Sequence, residues 1–288
     1  MTSTAQPPSI GNPDLSTYQH FAQALADDRG NRLLTVLCGK ASINDDVLEE
    51  IYLHFPGHRC EHIDVLLDTS GGDGTSAYRA MEHLQHLCKR VHVIIPRQAW
   101  SAGTVFAAGA STIEMSPMAA LGPIESQARQ EYRFLNRGSA LDDLQLGEEL
   151  GRVVEDLTDR VVALDFDQRE TASELGQRVT SHLAQQISLP DRARLRRDMA
   201  ATITYTARLL RHGGADEEEA REIARKLAWS YGDHGYPITL HEAVELGLPV
   251  IELDMEHGIN AYFAAKSYSD LDLPQTAVMT FTPGGGKS

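Results

Sequence analysis

Two apolar runs in this chain each end on a cluster of small residues, and that pattern restricts the fold more than any other feature. The run His62-Ile-Asp-Val-Leu-Leu-Asp68 leads into Thr69-Ser-Gly-Gly-Asp-Gly74, and Val91-His-Val-Ile-Ile95 leads shortly afterwards into Ala99-Trp-Ser-Ala-Gly-Thr104. Runs of this kind suit strands covered on both faces. A helical pattern from Thr75 to Cys88 separates them, so the segment reads strand–helix–strand. Parallel neighbours deliver both clusters to one rim, at the carboxyl ends of the strands, where open α/β sheets build their sites.

The flanking sequence extends this reading. Tyr18 to Ala26 has helical spacing, and Arg32 to Cys38 is strand-like. Asn44 to Phe55 is a helix with a cap residue and early acids. Thr112–Met115 and Met118–Leu121 are short extended segments. Beyond Ala128 charged and apolar residues recur at helical spacing, with breaks at Pro190 and Gly213-Gly214. The expected organisation is a flexible leader over 1–15, an α/β core over 16–127, a helical insertion over 128–228, a return to the core over 229–270 and a flexible tail over 271–288. The insertion reads equally as a lid, an oligomer interface or a plain covering layer. Asp254 to Gly258 reads as a turn, and Asn260 to Tyr268 as a short helix.

The two clusters suit acyl transfer. Ser101 opens a stretch of small residues at the start of a helix, where unpaired N–H groups and the positive end of the dipole favour developing negative charge. The Ala102 N–H is a candidate oxyanion donor. Gly71 and Gly72 lack a Cβ, so their backbone can turn sharply and approach a substrate carbonyl. Either cluster alone reads as a turn or a cap; the pairing carries the inference.

Five segments in order, Cys38-Gly-Lys-Ala-Ser-Ile43, Asp68-Thr-Ser-Gly-Gly72, Trp100-Ser-Ala-Gly103, Leu121-Gly-Pro-Ile-Glu125 and His241-Glu-Ala-Val-Glu-Leu-Gly-Leu248, resemble the Clp protease/crotonase superfamily. Within it the chain looks most like the serine dehydrogenase proteinase family, relatives of signal peptide peptidase A. The resemblance covers roughly residues 32–127 and 225–252. It implies a core of repeated ββα units with a large helical insertion, a Ser101 nucleophile, oxyanion donors at Gly71, Gly72 and Ala102, and no cofactor or metal. It also implies a homo-oligomer acting on peptide or protein substrates.

The base departs from the family pattern. Signal peptide peptidases place a lysine after the serine, but no lysine lies between Lys89 and Lys226, and Arg152 cannot take a proton. Clp proteases place a histidine about where Ile124-Glu125-Ser126 falls, and none is present there. His234, in Tyr231-Gly-Asp-His-Gly-Tyr-Pro-Ile-Thr239, is the leading alternative, with Asp233 or Glu125 orienting it; Glu125 as base and Lys226 stay open behind it. Two rival readings remain. One is a catalytically decayed scaffold on the same fold. The other is a crotonase-like acyl-CoA enzyme, for which no adenine pocket is visible.

Composition sets outer bounds. The 288 residues can bury a sizeable core, and a net charge of -15 argues against a nucleic-acid surface. No signal sequence or membrane span is apparent, which points to cytosolic substrates and a cytoplasmic setting. Cys38, Cys60 and Cys88 read as buried thiols in a reducing interior rather than as a bridge. His83, His86 and His92 read as helix-surface or strand residues rather than metal ligands. A partner ATPase is left open.

Overall fold

A computed structural model describes residues 14–55, 59–124 and 189–284, with short helical stretches between 151 and 181. The leader up to Pro13, Glu125 and a large part of the expected insertion lie outside the described residues. Strand β1 (Leu33–Leu37) is buried at every position: four of its five residues are leucine or valine, and the fifth is Thr35. It pairs in parallel with β2 (Cys60–Asp68), which pairs in parallel with β3 (Cys88–Ile95). A short two-residue strand, β4 (Gln98–Ala99), follows β3. The main sheet continues in parallel through β5 (Thr112–Met115) to β8 (Val250–Glu252), so its order is β8-β5-β3-β2-β1-β9. β9 (Ala277–Phe281) joins antiparallel to β1.

β9 corrects the reading of 271–288 as a flexible tail. The stretch Ala277-Val-Met-Thr-Phe281 is rich in strand formers, and the buried Thr35 hydroxyl lies against it, accepting from the Met279 N–H at 3.3 Å. The glycine-rich end that follows obscured this strand in the sequence.

A second, smaller sheet has the order β4-β6-β7, with β6 at Ala120–Leu121 and β7 at Ile238–Thr239. An isolated parallel bridge from Thr69 to Ala99 extends its edge. The two passages after β2 and β3 therefore run main strand, short strand or bridge of the second sheet, then helix. Thr69 and α3 (Gly74–Leu87) follow β2, while β4 and α4 (Ala102–Ala107) follow β3. This is the repeated ββα arrangement expected from the sequence, and the chain is α/β with a mainly parallel sheet.

Helix α1 (Leu15–Arg29) and helix α8 (Met255–Asp270) pack together over one face of the main sheet, α2 (Asp45–His54) and α3 against each other. Tyr18, Leu25, Ala261 and Tyr268 from α1 and α8 meet Leu33, Leu37, Leu66 and Ile94 of the strands. Asp254 corrects a second reading. Its side chain accepts from the His257 N–H at 3.0 Å, so Asp254 to Gly258 is the start of α8 and not a turn. The acid at the cap is an ordinary start signal, and the glycine behind it hid the helix. Between them lie α5 (Leu189–Gly213), α6 (Glu217–Trp229) and α7 (Leu240–Glu245). The chain divides into two compact units, 1–124 with 202–288, and 125–201. Among the described residues no helix is long and apolar enough to cross a membrane.

The cysteine reading is corrected as well. Cys60 and Cys88 face each other at the first paired position of β2 and β3, Cα atoms 4.5 Å apart, and are joined in a disulfide. Sequence showed no pairing because the helix α3 separates them. Cys38 alone is free, and it is buried. The expectation of a reducing compartment thereby loses its cysteine argument.

Candidate active site

The small sheet builds the rim. Gln98 and Ala99 register with Ala120 and Leu121, which register in turn with Thr239 and Ile238. Three segments therefore leave one edge together: Trp100-Ser101, Gly122-Pro-Ile124, and the Tyr236-Pro237 approach to β7. His234 lies two residues before Tyr236. β4 and β7 are separated by β6, about 10 Å at ordinary strand spacing.

Ser101 stands at the N-cap of α4 with φ 49° and ψ −109°. A non-glycine residue with positive φ is uncommon and costs about 1–3 kcal/mol, and such residues cluster at functional sites. Its side chain is half-buried and does not cap its helix, and its hydroxyl makes no hydrogen bond among the described residues. Strand–turn–helix strain of this kind is how nucleophile elbows expose a serine.

The glycine loop lies directly against it. A Cβ placed on Gly71, at φ +112°, would stand 3.1 Å from the Trp100 carbonyl oxygen and 3.2 Å from Ser101 Cβ. Gly72, at φ +144°, is held against Ile43, where a Cβ would fall 2.2 Å from the carbonyl oxygen. Both positions require glycine. The Ile43 N–H donates to Gly71 O at 2.9 Å, and the Asp73 N–H donates to Ile43 O at 2.7 Å. That bridge uses the groups on either side of Gly72 and leaves its own N–H outside. The Gly71 N–H donates to Thr69 Oγ1 at 3.1 Å. The N–H groups of Gly72 and Ala102 find no acceptor among the described residues.

Sequence reasoning missed the residues that hold these two loops together. Thr104 Oγ1 lies 2.8 Å from Ala99 O and 2.7 Å from Gly122 O, and accepts from the Gly122 N–H at 3.1 Å. Gly122 in turn packs on Trp100. The Trp100 N–H donates to Thr69 O and the Thr69 N–H to Gln98 O, both at 3.1 Å. Arg97 makes a close ion pair with Asp68, which joins the end of β2 to the link before β4. Burial pushes the Asp68 carboxyl up, against the opposing pull of Arg97. A basic residue just after one strand and an acid at the end of its neighbour were the visible signal. Burial also raises the Cys38 thiol, which keeps it protonated and a poor rival nucleophile.

His234 is half-buried in a tight turn built by Asp233. The Asp233 carboxylate accepts from the Gly235 N–H at 2.9 Å and its carbonyl from the Tyr236 N–H at 3.0 Å. Asp233 is exposed and its carboxylate shapes the turn. Beside this turn an open cavity of about 370 Å³ is lined by Tyr231, Gly232, Tyr236, Glu242 and Glu245. Lys226 pairs loosely with Glu222 on an exposed face of α6, as an ordinary solvated lysine does.

Among known proteins, no family model matches the chain. It is 28% identical over 188 residues to the uncharacterized protein MJ0137 of Methanocaldococcus jannaschii, covering 65% of this chain and 53% of that protein. It is 25% identical over 188 residues to the uncharacterized protein MJ1495 of the same organism, covering 65% of this chain and 51% of that protein. The chain spans about half the length of these curated relatives. Among solved structures it is similar to a serine-to-alanine mutant of 1510-N, a membrane-bound stomatin-specific protease. That similarity has a TM-score of 0.42 at 15% identity and covers 75% of this chain and 77% of the other.

Proposed function

We propose that this chain is a serine peptidase of the Clp/crotonase type, with Ser101 as nucleophile. One observation carries the reading: a serine in strained positive-φ backbone has its Cβ within 3.2 Å of the position a Gly71 side chain would occupy. A carbonyl set between Ser101 and the glycine loop has the Gly72 and Ala102 N–H groups available for its oxygen. Gly71 contributes close approach, since its own N–H is engaged by Thr69.

In this reading Ser101 Oγ forms a bond to the peptide carbonyl carbon as His234 takes the hydroxyl proton. The carbonyl π electrons move to oxygen, where the two amides stabilise the charge. Collapse expels the amine, which leaves with the proton from His234, and water repeats the sequence to free the acid and restore Ser101. One oxyanion donor of this kind is worth about 3–4 kcal/mol of transition-state stabilisation. Asp233 is the positioning residue of the His234 turn, and the cavity beside Tyr231 and Tyr236 suits a substrate side chain. An extended peptide pairing beside the Gly71 strand end is the natural pose.

A second reading has one observation in its favour. The Ser101 hydroxyl makes no hydrogen bond among the described residues, as a scaffold that has lost its base would also show. The test is labelling of the whole chain with a fluorophosphonate, alongside hydrolysis of an unstructured protein. Labelling of the native chain is expected. Ser101→Ala should abolish it and reduce hydrolysis by roughly 10⁴-fold or more, with the fold intact. His234→Ala should slow labelling as well. A native chain that never labels favours the scaffold, and a Ser101→Ala chain that labels equally rejects this nucleophile.

A further inference from the structure

At the opposite end of the same strands a second cluster has no part in that chemistry. His62 and Asp64 lie on β2 and His92 on β3, where Asp64 and His92 are register partners. His62 Nε2 is 2.7 Å from Asp64 Oδ1, and the two imidazole rings are 4.1 Å apart, nearly perpendicular. His92 Nδ1 lies 3.9 Å from both Asp64 Oδ1 and Glu114 Oε1. One donor atom from each of His62, Asp64 and His92 lies within 4.8 Å of the others. The expectation that none of the histidines is a ligand rested on their separation in sequence, which strand pairing removes.

We propose that His62, Asp64 and His92 form a binding site for a divalent transition metal ion of the zinc class. Two imidazoles and one carboxylate are the donor set such ions prefer, with water completing the coordination. The strands supply a rigid base, since the Cys60–Cys88 disulfide fixes their pairing just before His62. The outer layer is already built. Arg29 Nε donates to Asp64 Oδ2 at 2.7 Å and Asn31 Nδ2 to the same oxygen at 3.2 Å. This holds the carboxylate so that Oδ1 faces the histidines; the Arg29 Nη2 contact to Oδ1 is the longest of the set, at 3.3 Å. The rest of the Arg29 fork goes to Glu114, at 2.6 and 2.9 Å. Braced carboxylates of this kind orient ligands and raise affinity.

Charge and access are both suitable. Asp64 and Glu114 bring two negative charges, Arg29 one positive, and neutral imidazoles none, so the cluster is net negative before an ion enters. The Asp64 side chain is 1% exposed, whereas those of His62 and His92 are 18% and 23% exposed, which leaves a path past the ring edges. Bonds of 2.0–2.2 Å in tetrahedral geometry need donor atoms about 3.4 Å apart. On binding His92 therefore swings inward, while the 2.7 Å contact of His62 Nε2 with Asp64 Oδ1 opens by about 0.7 Å and the His62 proton moves from Nε2 to Nδ1, freeing Nε2 for the ion.

The test uses the full chain without a histidine tag, stripped with a chelator, and titrated with Zn²⁺ by calorimetry and with Co²⁺ by visible absorption. One equivalent is expected at micromolar affinity or tighter. Co²⁺ should give the intense bands of low coordination number. His62→Ala and His92→Ala should each weaken binding roughly 10–100-fold, whereas His257→Ala, at an exposed His–Asp pair elsewhere, should not change it. Thermal unfolding in chelator checks the fold of each variant, and His62→Gln replaces His62→Ala if the latter is unfolded. Absence of Zn²⁺ binding by the native chain overturns the site, as does undiminished binding by the His62→Ala/His92→Ala double variant. The outcome is independent of Ser101, since labelling of that serine reads the other rim.

Discussion

The two aspartates of β2 sit four residues apart in one strand and live in opposite regimes. Asp64, toward the start, is surrounded by partners: the Arg29 guanidinium, His62 and Asn31. Burial works against its charge, yet the Arg29 bonds hold its carboxyl below the ordinary carboxylate range. Asp68, at the end, has the Arg97 pair and the rim beyond it, and there burial wins and its carboxyl is pushed up. The same contrast extends across the sheet. At the amino ends of the strands the charged groups are mutually satisfied. At the carboxyl ends the backbone is strained at Ser101, and two N–H groups find no acceptor among the described residues. A sheet that stores unmet bonding capacity at one rim needs firm support elsewhere, and the Arg29 cluster supplies part of it.

Removing Arg29 breaks the comparison most strongly. Arg29→Met keeps the bulk of the stem but leaves Asp64 and Glu114 buried and facing one another. Loss of one partner of a buried ion pair costs about 3–5 kcal/mol. We expect the urea midpoint in chelator to fall accordingly, with Ser101 labelling unchanged wherever the chain is folded. A loss below about 1 kcal/mol would mean that the cluster behaves like a surface pair. Zn²⁺ should then restore part of the lost stability in this variant, because the site has become more negative.

The support of the rim itself is smaller and more local. Thr104→Val is close to isosteric but removes the hydroxyl shared by Ala99 O, Gly122 O and the Gly122 N–H. Leaving such buried groups without a partner costs about 1–3 kcal/mol. Here, unlike at Arg29, labelling of Ser101 should slow in the folded protein, since Gly122 and Trp100 lose their tie. An unchanged labelling rate alongside the stability loss would show that Thr104 supports the fold alone.

How far the sequence went depends on the range of the interaction. The strands β1, β2 and β3 and the helices α2 and α3 were legible because each carries its own period and cap, as in Asn44 before α2 and the buried run of β1. The approach of Gly71 to Ser101 was legible through topology: parallel strands bring their ends together whatever their side chains. β9 was not, because an edge strand closing the sheet from the far end of the chain has no local signal beyond five residues. The disulfide and the His62–Asp64–His92 group were hidden for the same reason, since cross-strand neighbours are adjacent only once the register exists. Glu125→Gln and His234→Ala, compared in the labelling assay, separate the two candidate bases.

The finest prediction concerns the strain itself. Ser101 holds φ 49° without the excuse of being glycine. Ser101→Gly removes the steric cost of that backbone, about 1–3 kcal/mol, but adds flexibility to the unfolded chain worth about 0.5–1 kcal/mol. The balance is a gain of about 1 kcal/mol, read as a higher denaturant midpoint, together with complete loss of labelling. Ser101→Ala, which keeps the Cβ, should lose labelling without that gain. The difference between the two variants isolates backbone strain from the chemistry of the hydroxyl. A glycine variant no more stable than the alanine one would mean that the rim stores no strain at this residue, and that its positive φ is simply the conformation the β4–α4 turn prefers.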